Sequence, residues 1–237
     1  DIELFGDDFG SKTIIDDKQV MDTGQPKMGL IESYVNKLGE TNWTSTTKLP
    51  LRDEKGEIVG LLGITREIND LKNSEIGFQW LATHDPLTSL ANRFLLMDRI
   101  EQAAFHAKRN KCLFSLLFID LNGFKKVNDQ QGHDKGDYYL KKMARLLTKN
   151  VRSSDTVARI GGDEFVVLLN GMAKTDEASL VADKLTELIC RDIDEEEHSV
   201  TASIGVSTYP IDGGSPESLL KAADQAMYEV KKRLDHK

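Results

Sequence analysis

The feature that most limits the fold is a repeated change of hydrophobic period between residues 92 and 234. Phe94, Met97, Ile100 and Ala104, three and four apart, predict a helix over 92–108. An almost unbroken apolar run predicts a buried strand over 113–120. Helical spacing returns over 136–151 through Leu140, Met143, Leu147 and Val151, and two strands, 156–160 and 165–169, then flank a tight turn. A helix over 176–190, a strand over 199–209 and a helix over 216–234 complete the series. The order is β-α-β-β-α-β with a helix on either side, an α+β chain with a ferredoxin-like core and added helices. In that topology the first and third strands are antiparallel neighbours. The end of the first therefore lies beside the start of the third.

Composition narrows the partners. The 237 residues carry 31 Lys and Arg against 39 Asp and Glu, a net charge of −8, and 39% are hydrophobic. That is enough apolar material for a core, and the wrong sign for a broad nucleic-acid surface. A nucleotide can still bind such a chain if a metal or a few placed cations offset its phosphates. The longest apolar run, 113–121, is interrupted by Ser115 and Asp120 and falls short of the roughly 18 residues of a membrane span. The acidic start is unlike a secretory signal, so the expected setting is cytoplasmic, with membrane attachment only through a region ahead of Asp1. Cys112 and Cys190 form no CxxC pair and are expected to be reduced, packed thiols.

The first 70 residues read as short strands and turns. A charged loop at 52–57, closed by Gly56, joins apolar and Thr-rich runs at 44–51 and 58–65, a β-hairpin pattern. A short helix is expected at 16–23, ended by Gly24 and Pro26. Over 66–82, Ile68, Leu71, Ile76, Trp80 and Leu81 give a helix at roughly heptad spacing. It either pairs with a copy of itself or packs on its own domain. His84-Asp85-Pro86 ends it.

The topology turns these elements into a site. Asp120 ends the first core strand. Gly161-Gly162 reads as the two-residue turn before the third, which opens with Asp163 and Glu164. Two carboxylates brought close repel unless one is protonated or a cation lies between them. Hard oxygen ligands at a sheet end suit Mg²⁺, which takes substrate phosphates as further ligands. The alternative is a polar rim beside a glycine turn. The segment after the first strand, Asn122-Gly123-Phe124-Lys125-Lys126-Val127-Asn128-Asp129 and on through Gly132-His133-Asp134 to Gly136-Asp137, reads as a glycine-rich phosphate loop. Lys125 offers charge to the phosphates. Asn128 offers an amide, and Asp137 offers acceptors matched to the N–H groups of a guanine edge. Asp137 can equally be a helix cap or first-turn acid. His133 is expected to be a structural hydrogen-bonding residue.

Five ordered blocks carry a family resemblance: His84-Asp85-Pro86-Leu87-Thr88, Asp120 to Asp129, Gly132 to Asp137, Arg159-Ile160-Gly161-Gly162-Asp163-Glu164-Phe165, and Ala222 to Tyr228. Over about 81–232 the chain resembles GGDEF-domain diguanylate cyclases, which join two GTP molecules into cyclic di-GMP with release of two pyrophosphates. The resemblance implies a homodimer with one GTP per domain. It implies Mg²⁺, or alternatively Mn²⁺, held by the Asp120 and Asp163 side chains and the Leu121 carbonyl. Phe124, Lys125, Gly161, Gly162 and Lys231 would attend the phosphates, and Asn128 and Asp137 would read guanine. Asp163, Glu164 and Lys125 would carry the catalysis, with Glu164 serving a second metal or the base step. Arg152 and Asp155, in an Arg-x-x-Asp pattern ahead of Gly161, would form the inhibitory product site. Ser89 stands where Gly is usual and Asn122 where Asp is frequent, and the usual Arg after Lys231 is absent or moved to Arg233.

Segments within 1–70, among them Glu32-Ser33-Tyr34, Trp43 and Gly56-Glu57-Ile58-Val59-Gly60, resemble the C-terminal half of a PAS sensor domain. The opening strands of that fold are missing, so a truncated segment or a remnant kept for dimer contact is expected. Its sheet would have an exposed edge. No His or Cys lies in 1–70, so no haem or covalent flavin is expected there. The expected organisation is a partial PAS-like unit at 1–68, a linker helix at 69–83 and a GGDEF domain at 84–237. The alternative function is a catalytically silent GGDEF domain that senses GTP or cyclic di-GMP.

Overall fold

A computed structural model describes residues 7–36, 38–193 and 200–235. The chain divides into two compact units, 1–79 and 80–237.

In the first unit, helix α1 (Asp7–Thr23) precedes an antiparallel sheet of β1 (Lys27–Val35), β2 (Thr41–Arg52) and β3 (Ile58–Glu67), in the order β1-β2-β3. The helix starts well before the expected 16, and β1 was not legible as a strand. The hairpin of β2 and β3 is as expected, with Asp53 Oδ1 accepting from the Lys55 and Glu57 N–H groups in its turn. The sheet is inside out. Thr44, Thr46 and Lys48 alternate toward a buried face, where the Lys48 ammonium meets Asp17 at 2.7 Å and the Thr13 carbonyl at 2.8 Å. Ile31, Leu62 and Ile64 stand exposed, aligned across the strands with Ser45, Leu49 and Thr47 of the other β2 face.

Helix α2 (Asn69–Thr83) is shorter than the expected 66–82 at its start, because β3 continues to Glu67. None of its residues is buried, and Leu71, Ile76 and Phe78 are exposed.

The second unit contains α3 (Arg93–Asn110), β4 (Leu113–Asn122), α4 (Phe124–Gln131), α5 (His133–Asn150), β5 (Thr156–Gly161), β6 (Glu164–Met172), α6 (Asp176–Asp192), β7 (Thr201–Tyr209) and α7 (Pro216–Asp235). Position 199, where the last strand was expected to begin, lies outside the described residues. The sheet order is β5-β6-β4-β7, all pairs antiparallel, the expected ferredoxin-like arrangement. Helices cover both faces of the sheet. On one, Leu117, Ile119, Phe165 and Val167 pack with Tyr139, Met143, Leu147 and Leu185 of α5 and α6. On the other, Leu116, Phe118, Val166 and Leu168 pack with Leu96, Ile100, Ala223 and Met227 of α3 and α7. A strand buried on both faces needs no alternation, which is why the β4 run is continuously apolar. Within it, the buried Ser115 pairs with the buried Thr208 hydroxyl at 2.8 Å. Both cysteines are free thiols, and Cys190 is exposed rather than packed. Among the described residues, no helix is long and apolar enough to cross a membrane.

Helix α7 lies against β7 with no room to spare. A Cβ on Gly205 would come within 2.1 Å of the Ala223 carbonyl and of the Met227 nitrogen, both backbone. Backbone cannot swing aside as a side-chain tip can. Gly205→Ala is therefore expected to destabilise the second unit by about 3 kcal/mol or more, at or beyond the usual cost of overpacking. Urea unfolding followed by circular dichroism measures it, and an unchanged midpoint would contradict the close approach.

Candidate active site

Strand register builds the site. Asp120 stands directly opposite Glu164 across the β4–β6 pair, with Ile119 opposite Phe165. In the β5–β6 hairpin, Gly161 pairs with Glu164. The two turn residues are therefore Gly162 and Asp163, not Gly161 and Gly162, and Asp163 rides on the turn rather than opening the strand. Gly162 takes φ +39°, a conformation that strains any side chain. From α7, on the stripe that Ala223 and Met227 pack against the sheet, Lys231 forms an ion pair with Asp120, whose side chain is only 11% exposed.

Two of the acids have raised proton affinity, through burial first and repulsion second. Desolvation, followed by repulsion from Asp120, pushes the Asp163 pKa up against the pull of Lys231 and Arg159. Desolvation also raises Glu164, with Asp120, Asp163 and Asp224 adding to it and Arg93 opposing. A cavity of about 320 Å³, lined by Arg93, Phe118, Glu164, Lys221 and Asp224 among others, opens beside Glu164.

The donor set fits a hard divalent ion that is completed by its substrate. Among the described residues, no three His, Cys, Asp or Glu side chains form a group able to hold an ion alone. Asp120 and Asp163 supply two carboxylates, and a cation, the Lys231 ammonium, already neutralises the first. Mg²⁺ keeps waters and takes phosphate oxygens, so two protein carboxylates suffice where a nucleotide supplies the remainder. Leu121 is in the core at 1% exposure, so its side chain is closed to a ligand.

The expected phosphate loop is instead helical. Helix α4 occupies 124–131 between Gly123 and Gly132, both at positive φ, and α5 follows at once. The Phe124 side chain is buried in the core, so it can serve phosphate only through its main chain, while Lys125 is exposed on the first turn of α4. Asn128 Oδ1 is buried with no hydrogen-bond partner. It presses on Gly136, where a Cβ would come within 1.9 Å of it. A buried acceptor without a donor costs roughly 1–3 kcal/mol, a debt that a ligand N–H would relieve. Asp137 is half-buried beyond the first turn of α5, where Asp134 is the acid and Gly132 the cap, so the capping role fits Asp134 and not Asp137. His133 is exposed.

Two departures from the family pattern have local explanations. Asn122 donates to the Thr201 hydroxyl at 3.0 Å and accepts from Ser203 at 3.1 Å, stitching β4 to β7. Ser89 takes φ +62°, the conformation that a glycine would adopt without strain.

Arg152 and Asp155 are not part of the acid cluster. They precede β5, whose six residues separate them from the Gly162 turn by on the order of 20 Å. Asp155 is held by the Arg152 and Asn170 backbone N–H groups, at 3.0 Å each. Arg152 is exposed beside a cavity of about 440 Å³ that Asp155, Lys149, Leu180 and Lys184 also line. Sequence reasoning assigned no role to Arg159 or Asp85, which form an ion pair at 3.1 Å next to the turn. The available signal was an Arg three residues before the turn glycine, and an Asp just past a helix end.

Such a sheet, with acids at a central strand end and a buried amide oxygen without a partner on the helix that follows that strand, suits a nucleotide-handling α+β domain. A family model described as diguanylate cyclase, GGDEF domain, matches residues 82–237, and the chain belongs to that family. Over 153 residues, 64% of this chain, it is 48% identical to the bifunctional diguanylate cyclase/cyclic di-GMP phosphodiesterase MucR of Pseudomonas aeruginosa, of which it spans only 22%. It is 29% identical to a diguanylate cyclase of Vibrio cholerae over 98% of this chain and 73% of the relative. A solved sensory box/GGDEF family protein from Caulobacter crescentus is similar at a TM-score of 0.60 and 37% identity, covering 64% of this chain and 99% of that one.

The raised acids give a stability test. Between the ordinary carboxylate range and the raised values, the folded, metal-free protein binds more proton at Asp163 and Glu164 than the unfolded chain does. Stability therefore falls as pH rises from the ordinary carboxylate range through the raised values. Asp163→Asn removes one repelling charge. Without metal it is expected to melt at a higher temperature than the parent near neutral pH, with the gap closing toward about pH 3, below ordinary carboxylate values. Scanning calorimetry measures the gap, and a lower melting point for the variant near neutral pH would contradict the repulsion.

Proposed function

We propose that this chain is a diguanylate cyclase that condenses two GTP into cyclic di-GMP and two pyrophosphates across a homodimer. The observation that carries the reading is the meeting of Asp120, Asp163 and Glu164 at one sheet end, with Lys231 beside them. The Asp120 and Asp163 side chains and the Leu121 main chain would hold Mg²⁺, with Mn²⁺ as the alternative ion. When bound, the ion polarises the α-phosphate and makes the attacking hydroxyl easier to deprotonate.

The chain's own residues position the reactants. Asn128 and Asp137 receive the guanine edge, the first with its unpartnered amide, the second with its carboxylate. The backbone of Phe124, Lys125, Gly161 and Gly162 lies along the phosphates, and Lys125 adds charge. Lys231 leaves Asp120 for the phosphates as the nucleotide enters. The 3′-hydroxyl oxygen of one GTP then bonds to the α-phosphorus of the other. The α–β bridging bond breaks, pyrophosphate departs, and the hydroxyl proton passes to a base. Glu164 either takes that proton or serves a second metal, and its place opposite Asp120 fits both roles. A second, mirrored step closes the ring. Most of the rate comes from placing and neutralising charge, as in other phosphoryl transfers.

Regulation completes the proposal. The open apolar stripe of α2 supports pairing of two chains through a linker at 69–83, which joins a partial PAS-like unit at 1–68 to the GGDEF domain at 84–237. The unit's input signal acts through that linker. Product binds at Arg152 and Asp155 as a feedback inhibitor, supported by the exposed Arg152 at its cavity. The reading places the chain in the cytoplasm, where GTP is supplied.

Incubation with GTP and Mg²⁺ is expected to yield cyclic di-GMP with two pyrophosphates for each, read by chromatography. Nucleotide binding without product would make the chain a silent sensing module. Asp137→Ala is expected to raise KM for GTP roughly 10–150-fold, the value of a hydrogen bond to a charged group at 1.5–3 kcal/mol. An unchanged KM would remove Asp137 from guanine reading. Arg152→Ala is expected to keep turnover and lose inhibition by added cyclic di-GMP, and retained inhibition would reject that site.

A further inference from the structure

One arginine holds the turn that carries Asp163. The Arg159 guanidinium donates from Nε at 3.0 Å and Nη2 at 2.8 Å to a single acceptor, the Gly162 carbonyl. Its remaining nitrogen, Nη1, donates to both oxygens of Asp85, at 3.1 and 3.2 Å. All three guanidinium nitrogens are thus used, and the side chain is only 14% exposed. The fork is planar and rigid, so it fixes the orientation of the Gly162–Asp163 peptide as well as its distance. A glycine turn without such a brace has freedom to rotate that peptide, and with it the Asp163 carboxylate.

Asp85 is itself held on every side. It accepts from the Thr88 N–H at 2.8 Å and the Thr88 hydroxyl at 2.6 Å, and its own N–H donates to the Leu90 carbonyl. Partial burial pushes its pKa up, but the Thr88 bonds and the Arg159 charge outweigh that and leave it below the ordinary value. The strap from His84 to Asn92 that carries Asp85 is bonded at both sides. The Arg159 N–H donates to the Ala91 carbonyl, and Asn92 donates from its backbone to Thr83 and from its amide to Ala82, in the last turn of α2. His84 stacks on Trp80 of that same turn, 5.0 Å between ring centres. The helix end, the strap and the acid-bearing turn form one hydrogen-bonded series.

We propose that Arg159, braced by Asp85, is the positioning residue that aims Asp163 at the metal, and that it ties this aim to the end of α2. The inference rests on the reading of Asp163 as a metal ligand and adds the group that orients it. Neither Arg159 nor Asp85 touches the nucleotide on this account. Partners that orient a metal ligand are worth roughly 10–100-fold in metal affinity or activity.

The test is calorimetric titration of Mn²⁺ into the protein with 3′-deoxy-GTP, which cannot cyclise, alongside turnover with GTP. Arg159→Ala is expected to weaken Mn²⁺ binding roughly 10–100-fold and to lower kcat with it. Arg159→Lys, which can reach one partner but not both, is expected to fall between. Affinity for 3′-deoxy-GTP without metal should fall by less than Mn²⁺ affinity, since the guanine-reading residues are on α4 and α5 and only the Gly161–Gly162 backbone at the phosphates adjoins the brace. Asp85→Asn keeps an acceptor for Thr88 and loses the charge facing Arg159, so it tests the brace even if Arg159→Ala does not fold. It is expected to shift Mn²⁺ affinity in the same direction by less. Folded Arg159→Lys and Asp85→Asn with parental Mn²⁺ affinity and lower melting points would make the pair a merely structural contact and overturn the proposal. A parent that takes up no Mn²⁺ with the nucleotide would instead reject the acid site as a metal site, and this inference with it.

Discussion

Repulsion between carboxylates is the constraint on which the second unit is organised. The β4–β6 register sets Asp120 against Glu164, and the hairpin turn adds Asp163. A fold gains nothing from such a cluster in isolation. Its cost is offset by cations arranged around it: Lys231 on Asp120, Arg159 near Asp163, Arg93 near Glu164. Each cation comes from a different element, so the site exists only when the sheet and the helices around it are in place. In a chain of net charge −8, that concentration of opposing charge is a local design rather than a consequence of composition.

Packing and chemistry are coupled through α7. Its close seat on Gly205 sets the helix's height above β7, and that height decides whether Lys231 reaches the end of β4. On the opposite face, the core beneath α4 and α5 anchors Phe124 and brings Gly136 against Asn128. The acid end and the amide end are thus positioned from the two faces of one sheet. A ligand spanning phosphate to base would draw on both.

Much of this was legible in the amino-acid sequence, because period and topology are enough to place strand ends. The continuous apolar run of β4 and the later Gly-Gly-Asp-Glu turn put Asp120 and Asp163 together before any coordinates. What was not legible depends on hydrogen bonding at single residues. Gly161 pairs across the hairpin and shifts the turn by one residue, which no glycine pair reveals by itself. Helix α4 is short and polar, with glycine on both sides, so its pattern reads as a loop. The brace between Asp85 and Arg159 joins residues 74 apart through side chains alone. In the first unit, β1 escaped notice because its sheet exposes apolar residues and buries Thr and Lys, the reverse of the usual alternation.

The most direct measurement is electron paramagnetic resonance of free Mn²⁺ as it is titrated against the protein and GTP. The account predicts tight uptake that appears only with nucleotide present, and that is lost in both Asp120→Asn and Asp163→Asn. Uptake of Mn²⁺ that is the same in the parent and in both variants would contradict it.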